Sequence, residues 1–471
     1  MSVPNTHFGA MQIKELLRRA PRKSIFFVGI GGINMSSLAH ISHIRGIKVG
    51  GSDRVPSALT HRLEREGIEI FYSHDASNIG GYDMLVYTVA ISENNPEYVA
   101  ARQMGIPCIS RSDYMGFLMM DYERRIGVSG MHGKSTCTSM CAEALILSGV
   151  EPTVLSGAQL ASMGGAYRVG EEKYFLFEAC EYMDSFLDFN PTVSVILNIE
   201  MDHVDYFESM EHIKRSYLEF ARLSGVGGVC VANIDSKNVR DALSEYKGLT
   251  VWFGLSSDKA DFRAVNIEQH LGAYSFDIIA YGELLCSVSL KVGGYHNIYN
   301  ALACAAALSV SDISAWDIKR GLEAFNGAER RMEYKGMLNG ARVFDDYGHH
   351  PTEVRATLAG ARDMVGDGGR LFCVFQSHTY SRTAALLGDF ASALDIADRV
   401  VITDIYAARE VDTMGITPEL FAECIGEKAT ACHGFHKAAE VLRKELCEGD
   451  VAIIMGAGDV WHTFEYLDLE K

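Results

Sequence analysis

A strand, a glycine-rich loop and a helix follow one another between residues 124 and 147. The apolar segment RRIGVSG leads into GVSGMHGKST, after which the sequence has a helical period from Lys134 to Leu147. Gly127, Gly130 and Gly133 permit backbone conformations that a Cβ would block, and Lys134 stands at the predicted helix start. Backbone N–H groups at a helix start, together with a lysine ammonium, bind phosphates. The segment therefore predicts a phosphate-binding loop of the P-loop type.

The loop differs from the usual phosphate-binding pattern in its spacing. Its residues follow GxxGxxGK(S/T), and Val128 stands where the pattern GxxxxGK(S/T) has its first glycine. An ordinary glycine-rich turn between a strand and a helix is the alternative. Because Lys134 and Ser135 occur together at the helix start, we predict that Lys134 contacts the β and γ phosphates of ATP and that Ser135 binds Mg²⁺.

Composition narrows the class of protein. A net charge of -18, without a run of Lys or Arg, opposes binding to a nucleic acid backbone. Eleven cysteines without a CxxC pair are typical of a reduced protein, so we predict a cytoplasmic location. We find no secretion signal and no apolar run of the roughly 18 residues that a membrane span needs, so no membrane insertion is expected.

The chain is expected to form three α/β domains, because 471 residues are too many for one core. Strand-like and helix-like segments alternate, which favours parallel sheets. We predict a Rossmann-like N-terminal domain at residues 1–122 and a central ATPase domain at 123–332, in which 262–292 is β-rich. The pattern restarts after Gly327, so a Rossmann-like C-terminal domain is predicted at 333–471.

Two acidic segments follow predicted strands of the central domain. They are FEACEYMDSF, which contains Glu178 and Glu181, and NIEMDHVDYF, which contains Asp202, His203 and Asp205. Carboxylates near a triphosphate are expected as ligands of a hard cation, so Glu178 and His203 are predicted to bind Mg²⁺. A structural histidine is the alternative for His203, and a solvated surface position is the alternative for Glu181, Asp202 and Asp205.

In order along the chain, GMHGKST, EACEY, NIEMDHVDYF, GYHNIYNALA, GAERRMEY and DDYGHHPTEV resemble the Mur ligase family. The resemblance covers essentially the whole chain. It implies three domains, for a UDP-linked substrate, ATP and an amino acid, and an ADP-forming ligation of a carboxylate to an amine through an acyl phosphate. Within the family, GIGGINMS, GSD, FQSHTYSR and MGAGD favour addition of L-alanine to the lactyl carboxylate of UDP-N-acetylmuramate during peptidoglycan precursor synthesis.

The resemblance also implies roles for single residues. The ATP-binding set is Gly130, His132, Gly133, Lys134, Ser135, Thr136, His296, Asn297 and Asn300. The catalytic set is Lys134, Glu178, His203, Arg331 and Asp346, and the metal ligands are Ser135, Glu178 and His203. The set for the UDP substrate is Gly29, Gly31, Gly32, Asn34, Ser52 and Asp53, and the set for the amino acid is His349, His378, Tyr380 and Arg382. 

Arg331 and Asp346 are expected to face the phosphates, where an arginine stabilises the charge of the transferring phosphoryl group. Helix capping is the alternative for Asn297, a turn-and-cap role for His350, and a surface salt bridge for Arg330. His203 and His349 are both candidates for the general base that deprotonates the amine.

Two positions differ from the family pattern. Asn34 stands where the family has the third glycine of the first turn, and asparagine tolerates a positive φ. Cys180 stands where the family has an acidic residue.

Other functions are compatible with parts of the sequence. GIGGIN followed by Asp53 loosely resembles a dinucleotide-binding fingerprint, but it lacks the third glycine and leaves the central loop unexplained. A ligase that joins a murein peptide to the same UDP-sugar and a nucleotide-sensing protein are further alternatives. The sequence does not distinguish a monomer from a homodimer.

Overall fold

The computed structural model describes residues 8–88, 91–203, 206–270, 273–366, 368–408, 410–412 and 414–470. The chain divides into two compact units, Met1–Phe262 with Ala303–Ile318, and Arg263–Leu302 with Lys319–Lys471. The predicted boundaries at 122 and 332 remain predictions. Among the described helices, none has the length and apolar composition required to span a membrane.

The first part of the first unit is a parallel sheet with helices. Its strands are β1 (Ser24–Val28), β2 (Lys48–Ser52), β3 (Glu69–Phe71), β4 (Met84–Tyr87) and β5 (Cys108–Ser110). Its helices are α1 (Ala10–Arg19), α2 (Ile33–Ile44), α3 (Ala58–Arg65), α4 (Pro96–Gln103) and α5 (Arg111–Leu118). The order β3-β2-β1-β4-β5, with every pair parallel, is Rossmann-like and confirms the predicted fold class.

A second group of strands in this unit surrounds the phosphate loop. The strands are β6 (Arg124–Ser129), β7 (Thr153–Leu160), β8 (Gly165–Arg168), β9 (Tyr174–Glu178), β10 (Val193–Ile196), β11 (Val229–Asn233) and β12 (Leu249–Gly254). The helices are α6 (Lys134–Leu147), α7 (Met210–Arg222) and α8 (Lys237–Ala242). The strand order within the unit is β12-β11-β10-β6-β9-β7-β8.

Strand β6 is central because it pairs in parallel with both β9 and β10. Val128 lies opposite Glu178, and Ser129 lies opposite Ile196, so the carboxyl ends of the three strands meet at one edge. Gly127 lies inside β6, where an added Cβ would come within 2.7 Å of the Phe177 ring. This glycine therefore serves core packing, whereas the sequence had suggested a role in the phosphate loop.

The remaining elements include an antiparallel hairpin and a second α/β sheet. In chain order they are β13 (Phe262–His270), β14 (Ala273–Ala280), β15 (Glu283–Gly293), α9 (His296–Ser309), α10 (Ala315–Ala324), β16 (Glu333–Leu338), β17 (Ala341–Asp346), α11 (Pro351–Arg362), β18 (Leu371–Phe375), α12 (Tyr380–Ala385), α13 (Leu387–Leu394), β19 (Arg399–Ile402), α14 (Pro418–Ile425), β20 (Ala429–Ala431), α15 (Phe435–Glu445) and β21 (Val451–Met455). The predicted β-rich segment at 262–292 is confirmed.

The C-terminal sheet has the order β16-β17-β21-β18-β19-β20. Its pairs are parallel except β16 with β17, which is an antiparallel edge pair. The apolar period of TAALLGDFASALD predicts a single helix, but the structure has two, α12 and α13. They are separated at Leu386, whose φ of -117° is not helical.

Candidate active site

The glycine-rich loop between β6 and α6 depends on two glycines. Gly130 has a φ of 143° and Gly133 a φ of 84°, and both values favour glycine. A Cβ on Gly130 would also lie 2.9 Å from Leu197 Cβ, on the neighbouring strand end. The predicted strand, loop and helix are thus confirmed, and α6 begins at Lys134 as predicted.

Asn198 holds the loop from the carboxyl end of β10. Its Oδ1 accepts from His132 N at 2.9 Å, and its Nδ2 donates to His132 O at 2.9 Å. These two bonds fix the backbone of His132 in the middle of the loop. We had not predicted a role for Asn198, although a polar residue directly after an apolar strand is the signal that indicates it.

The ammonium of Lys134 is surrounded by acceptors. Its Nζ donates to Gly130 O at 2.5 Å and to Met131 O at 3.3 Å, and lies 3.1 Å from Glu181 Oε2. Burial is the largest single effect and lowers the pKa of this ammonium, but the charge and hydrogen bond of Glu181, together with the charges of Cys180 and Glu178, outweigh burial and raise the pKa of Lys134. Lys134 is therefore charged at neutral pH and held against its own loop.

Glu181 is buried, contrary to the surface position considered for it from the sequence. Its side chain is 1% exposed and lies between Lys134 and His203 Nε2, which is 3.3 Å from Glu181 Oε1. Burial raises its pKa, but Lys134 and His203 outweigh burial and the net pKa is lowered. Asp202 is also buried, and Asp205 lies outside the described residues.

Ser135 and Glu178, which the sequence predicts to bind a cation, are in direct contact. Ser135 Oγ donates to Glu178 Oε2 at 3.1 Å. The other oxygen of Glu178 accepts from Ser156 Oγ at 3.2 Å and from Gly157 N at 2.5 Å, which fixes the carboxylate. A hydroxyl and a carboxylate at this separation are hard oxygen donors that fit Mg²⁺. Thr136 follows in the first turn of α6 and is half-buried.

His203 is held in an unusual conformation near this pair. Its φ is 50°, and its ring lies 4.8 Å from that of Tyr182, measured between centroids. Non-glycine residues with a positive φ are concentrated at functional sites. Of the three predicted metal ligands, Ser135 and Glu178 are in contact with each other. His203, the third, contacts the neighbouring carboxylate of Glu181 instead.

The N-terminal glycine-rich turn leads from β1 into α2. Gly29 has a φ of 80°, and Gly31 N donates to Asp53 Oδ2 at 2.8 Å. A Cβ on Gly31 would lie 2.7 Å from the same carboxylate oxygen. Gly32 precedes α2, and Asn34 lies in its first turn without a positive φ. The expectation that Asn34 needs to tolerate a positive φ was therefore wrong, and no backbone strain arises at this position.

Ser52 belongs to a buried network instead of an open binding surface. Its side chain is fully buried, and Ser52 Oγ donates to Glu97 Oε2 at 2.8 Å. The same carboxylate oxygen lies 2.8 Å from His74 Nδ1. The hydroxyl of Ser52 is thus bonded to Glu97 in the interior, whereas the carboxylate of Asp53, the next residue, contacts the turn through Gly31 N.

Arg331 and Asp346 lie in the second unit and are linked through the backbone. Asp346 Oδ2 accepts from Met332 N at 2.9 Å, and Asp346 Oδ1 accepts from Gly348 N at 2.8 Å. Burial raises the pKa of Asp346, although Arg331 opposes the shift. Because its oxygens are engaged and its side chain is buried, Asp346 orients the segment that carries Arg331. We had expected it to face the phosphates.

The two neighbouring arginines both lie over the Tyr347 ring but have different polar partners. Arg330 donates to Gly458 O at 3.2 Å and to Gly456 O, and it lies 3.4 Å from Asp345 Oδ2. This is a structural role, and it replaces the surface salt bridge considered for Arg330. Arg331 lies beside the Tyr347 ring, with its nearest carboxylate oxygen, on Glu353, at 3.7 Å.

The residues predicted to bind the amino acid lie together in the second unit. The rings of His349 and His378 are 6.0 Å apart, and His378 also stacks on Tyr406. Burial, with a smaller contribution from the charge of Arg382, lowers the pKa of both histidines, that of His349 to about 4. Neutral imidazoles beside a guanidinium suit an amino acid carboxylate. Tyr380 begins α12 in the same segment.

His350 is the N-cap of α11, where its side chain accepts from Thr352 N. The turn-and-cap role considered for it is therefore confirmed.

His296, Asn297 and Asn300 lie at the start of α9. Asn297 Nδ2 donates to Gly293 O at 2.6 Å, and Asn300 Nδ2 donates to Asn297 Oδ1 at 2.9 Å. Both asparagines are buried and His296 is exposed. The amides thus stabilise the helix start, and their predicted contacts with a nucleotide stay predictions.

The chain is similar to known proteins along nearly its whole length. Residues 24–123 match the Mur ligase family catalytic domain, 128–308 the Mur ligase middle domain, and 330–458 the Mur ligase glutamate ligase domain. The UDP-N-acetylmuramate--L-alanine ligase of Acetivibrio thermocellus is 44% identical over 95% of this chain and 96% of that protein. The enzyme of the same name from Caldicellulosiruptor bescii is 42% identical over 92% of this chain and 96% of that protein.

Solved structures show the same architecture. The UDP-N-acetylmuramate-alanine ligase MurC of Thermotoga maritima has a TM-score of 0.77 at 27% identity, covering 94% of this chain and 98% of that one. A murein peptide ligase of Psychrobacter arcticus has a TM-score of 0.68 at 22% identity, covering 95% of this chain and 99% of that one. The second likeness concerns the fold alone.

Proposed function

Because the chain belongs to the Mur ligase family, we propose that it joins L-alanine to the lactyl carboxylate of UDP-N-acetylmuramate, with ATP converted to ADP and phosphate. The observation that carries this proposal is identity of 44% and 42%, over nearly the full length, to two ligases named for this reaction. The loop of Gly130 to Ser135 supports ATP as the phosphoryl donor.

In the first step, the lactyl carboxylate attacks the γ-phosphorus of ATP, ADP leaves, and an acyl phosphate forms. Lys134 is assigned to the β and γ phosphates, because its ammonium is charged and lies at the start of α6. Arg331 is assigned to the transferring phosphoryl group, whose charge a guanidinium stabilises. Asp346 is a positioning residue, because it holds the backbone of Met332 beside this arginine.

Ser135 and Glu178 are the residues that would hold Mg²⁺, and His203 is the proposed ligand of a second ion. When bound, the metal supplies positive charge between the anionic phosphates and the anionic acceptor. Glu178 is ready for this role, because Ser156 and Gly157 already fix its carboxylate.

In the second step, the neutral amine of L-alanine attacks the acyl carbon. The tetrahedral intermediate then collapses, the bond to the phosphate oxygen breaks, and inorganic phosphate leaves. His349 has a pKa near 4 and would hold a proton from the amine only weakly. It is therefore better suited to accept a hydrogen bond than to act as the general base, and the proton that the amine nitrogen loses is assigned to His203, the other candidate.

The remaining assignments extend the same proposal. Binding of the UDP moiety is assigned to the turn at Gly29, Gly31, Gly32 and Asn34 and to Asp53. Ser52, predicted from the sequence for the same set, is assigned a supporting role, because its buried hydroxyl is bonded to Glu97. Binding of the amino acid is assigned to His349, His378, Tyr380 and Arg382, and binding of the nucleoside to His296, Asn297 and Asn300. A cytoplasmic location, as a monomer or a homodimer, is also proposed, in keeping with eleven free cysteines.

The test of this function is the rate of phosphate release with ATP and UDP-N-acetylmuramate. L-alanine, L-serine, glycine and a murein tripeptide are compared as the amine substrate. We expect the highest kcat/KM with L-alanine and a product whose mass equals the UDP-sugar plus one alanine residue. Release with the tripeptide but not with L-alanine would instead identify the murein peptide ligase. Release that does not require the UDP-sugar would contradict both. The Lys134→Ala variant is the control for contaminating ATPase.

A further inference from the structure

Each N–H group of the Lys134 ammonium already has an acceptor within hydrogen-bond distance in this structure. An ammonium has three N–H groups, and the Nζ of Lys134 lies within hydrogen-bond distance of Gly130 O, Met131 O and both oxygens of Glu181. A phosphate can therefore bind this ammonium only if one of these partners is given up.

Glu181 is the partner that an arriving phosphate would replace. The two carbonyls belong to the loop itself, whereas Glu181 is a separate anion that is 1% exposed. A carboxylate and a phosphate repel each other when they share one cation in a site of low dielectric. The carboxylate also contacts His203 Nε2 at 3.3 Å, so it keeps a partner when Lys134 leaves.

We infer that Glu181 is a resting-state substitute for the nucleotide phosphate. Without nucleotide it pairs with the largely buried ammonium of Lys134. It releases that ammonium to the β or γ phosphate when the nucleotide binds. Glu181 is thus a positioning residue of the nucleotide site. This inference rests on the proposed function, because it assumes that the nucleotide binds at the loop.

Two variants separate this role from a purely structural one. Glu181→Gln keeps the size and an acceptor oxygen but removes the competing charge. Glu181→Asp keeps the charge. Glu143→Gln on the same helix as Lys134 changes the net charge equally, and Glu143 is bound by Ser162 Oγ at 2.6 Å away from the loop. It is therefore the matched control.

Affinity for ADP in EDTA, measured with a fluorescent ADP, tests the inference without a metal ion. We expect Glu181→Gln to bind ADP roughly tenfold more tightly than wild type, and Glu181→Asp and Glu143→Gln to bind it as wild type does. A structural role alone would lower the melting temperature without tightening binding. Unchanged or weaker binding by folded Glu181→Gln would overturn the inference.

A crystal structure of the wild-type protein with ADP gives a second test, which does not need a variant to fold. We expect Lys134 Nζ to bind a phosphate oxygen and to lie beyond 4 Å from Glu181, roughly the limit of a salt bridge. An intact Lys134–Glu181 pair in the presence of a bound phosphate would overturn the inference. No ADP binding by wild type would instead overturn the proposed function on which the inference rests.

Discussion

Ser135 Oγ lies 3.1 Å from Glu178 Oε2, so a hydroxyl on α6 and a carboxylate at the end of β9 can bind the same cation. Removal of the hydroxyl by Ser135→Ala should raise the Mg²⁺ concentration needed for half-maximal turnover by roughly tenfold, and Ser135→Thr should restore most of the affinity. Titration of turnover with MgCl₂ measures this. The control is Ser139→Ala on the same helix, which removes a buried hydroxyl that has no hydrogen-bond partner among the described residues. An equal shift in that control would contradict the assignment.

Gly157 keeps the space that the carboxylate of Glu178 occupies. A Cβ at this position would lie 2.8 Å from Glu178 Oε2 and 3.1 Å from Oε1. Gly157→Ala should therefore displace the carboxylate, lower kcat, and increase the Mg²⁺ requirement, while the protein stays folded.

The control for this substitution is Gly388→Ala in α13, where an added Cβ meets nothing within 4 Å. It should stabilise the protein by about 0.5–1 kcal/mol, because alanine loses less backbone entropy than glycine in a helix. Chemical denaturation and steady-state kinetics of both variants give the comparison. Full activity of Gly157→Ala at low Mg²⁺ would show that a Cβ at this position does not displace the Glu178 carboxylate from the cation.

The adjacent arginines should separate stability from catalysis. Arg330→Ala removes the bonds to Gly456 O and Gly458 O and leaves Asp345 buried without its guanidinium, at a cost of about 2–4 kcal/mol. Arg331→Ala should leave the melting temperature nearly unchanged and lower kcat on the order of a thousandfold. Thermal melts and turnover of the two variants measure this. The reverse pattern would assign the catalytic role to Arg330.

Asp345 should make the stability depend on pH between about 4 and 6. Burial raises the pKa of this carboxyl from 3.8 to about 6, and Arg330 only partly opposes the shift. The folded state therefore binds the proton more tightly than the unfolded chain, and the free energy of unfolding falls as pH rises through this range. The loss is complete above pH 6 and amounts to roughly 2–3 kcal/mol.

The Asp345→Asn variant has an amide in place of the carboxyl and therefore does not titrate in this pH range. We expect the free energy of unfolding of wild type minus that of the variant to fall between pH 4 and pH 6 and to be constant above it. Urea denaturation at a series of pH values measures the difference. A difference that does not vary across this range would show that Asp345 has an ordinary pKa.

The sequence predicted a helix or strand well where neighbouring residues determine where that element begins and ends. Helix α6 begins at Lys134 and ends at Leu147 as predicted, because the glycine-rich loop before it and its apolar period define it locally. The break at Leu386 was not predicted, since TAALLGDFASALD keeps an apolar period through it. The antiparallel edge strand β16 was also missed, because its pairing with β17 depends on the sheet and not on the segment alone.

The site was predicted in its residue types but not in its contacts. Ser135 and Glu178 are brought together because β6 and β9 are parallel neighbours, which the sequence can suggest. The burial of Glu181 between Lys134 and His203 depends on side-chain packing, so the sequence left a surface position equally open. The structural role of Arg330 was missed for the same reason, since its partners Gly456 and Gly458 lie far along the chain.

The most direct test of the account is a crystal structure with a non-hydrolysable ATP analogue and Mg²⁺. We predict that the β and γ phosphates bind Lys134 Nζ and the backbone N–H groups from Gly130 to Ser135, with the ion at Ser135 and Glu178. An analogue bound elsewhere, with the loop unchanged and Lys134 still on Glu181, would contradict the account.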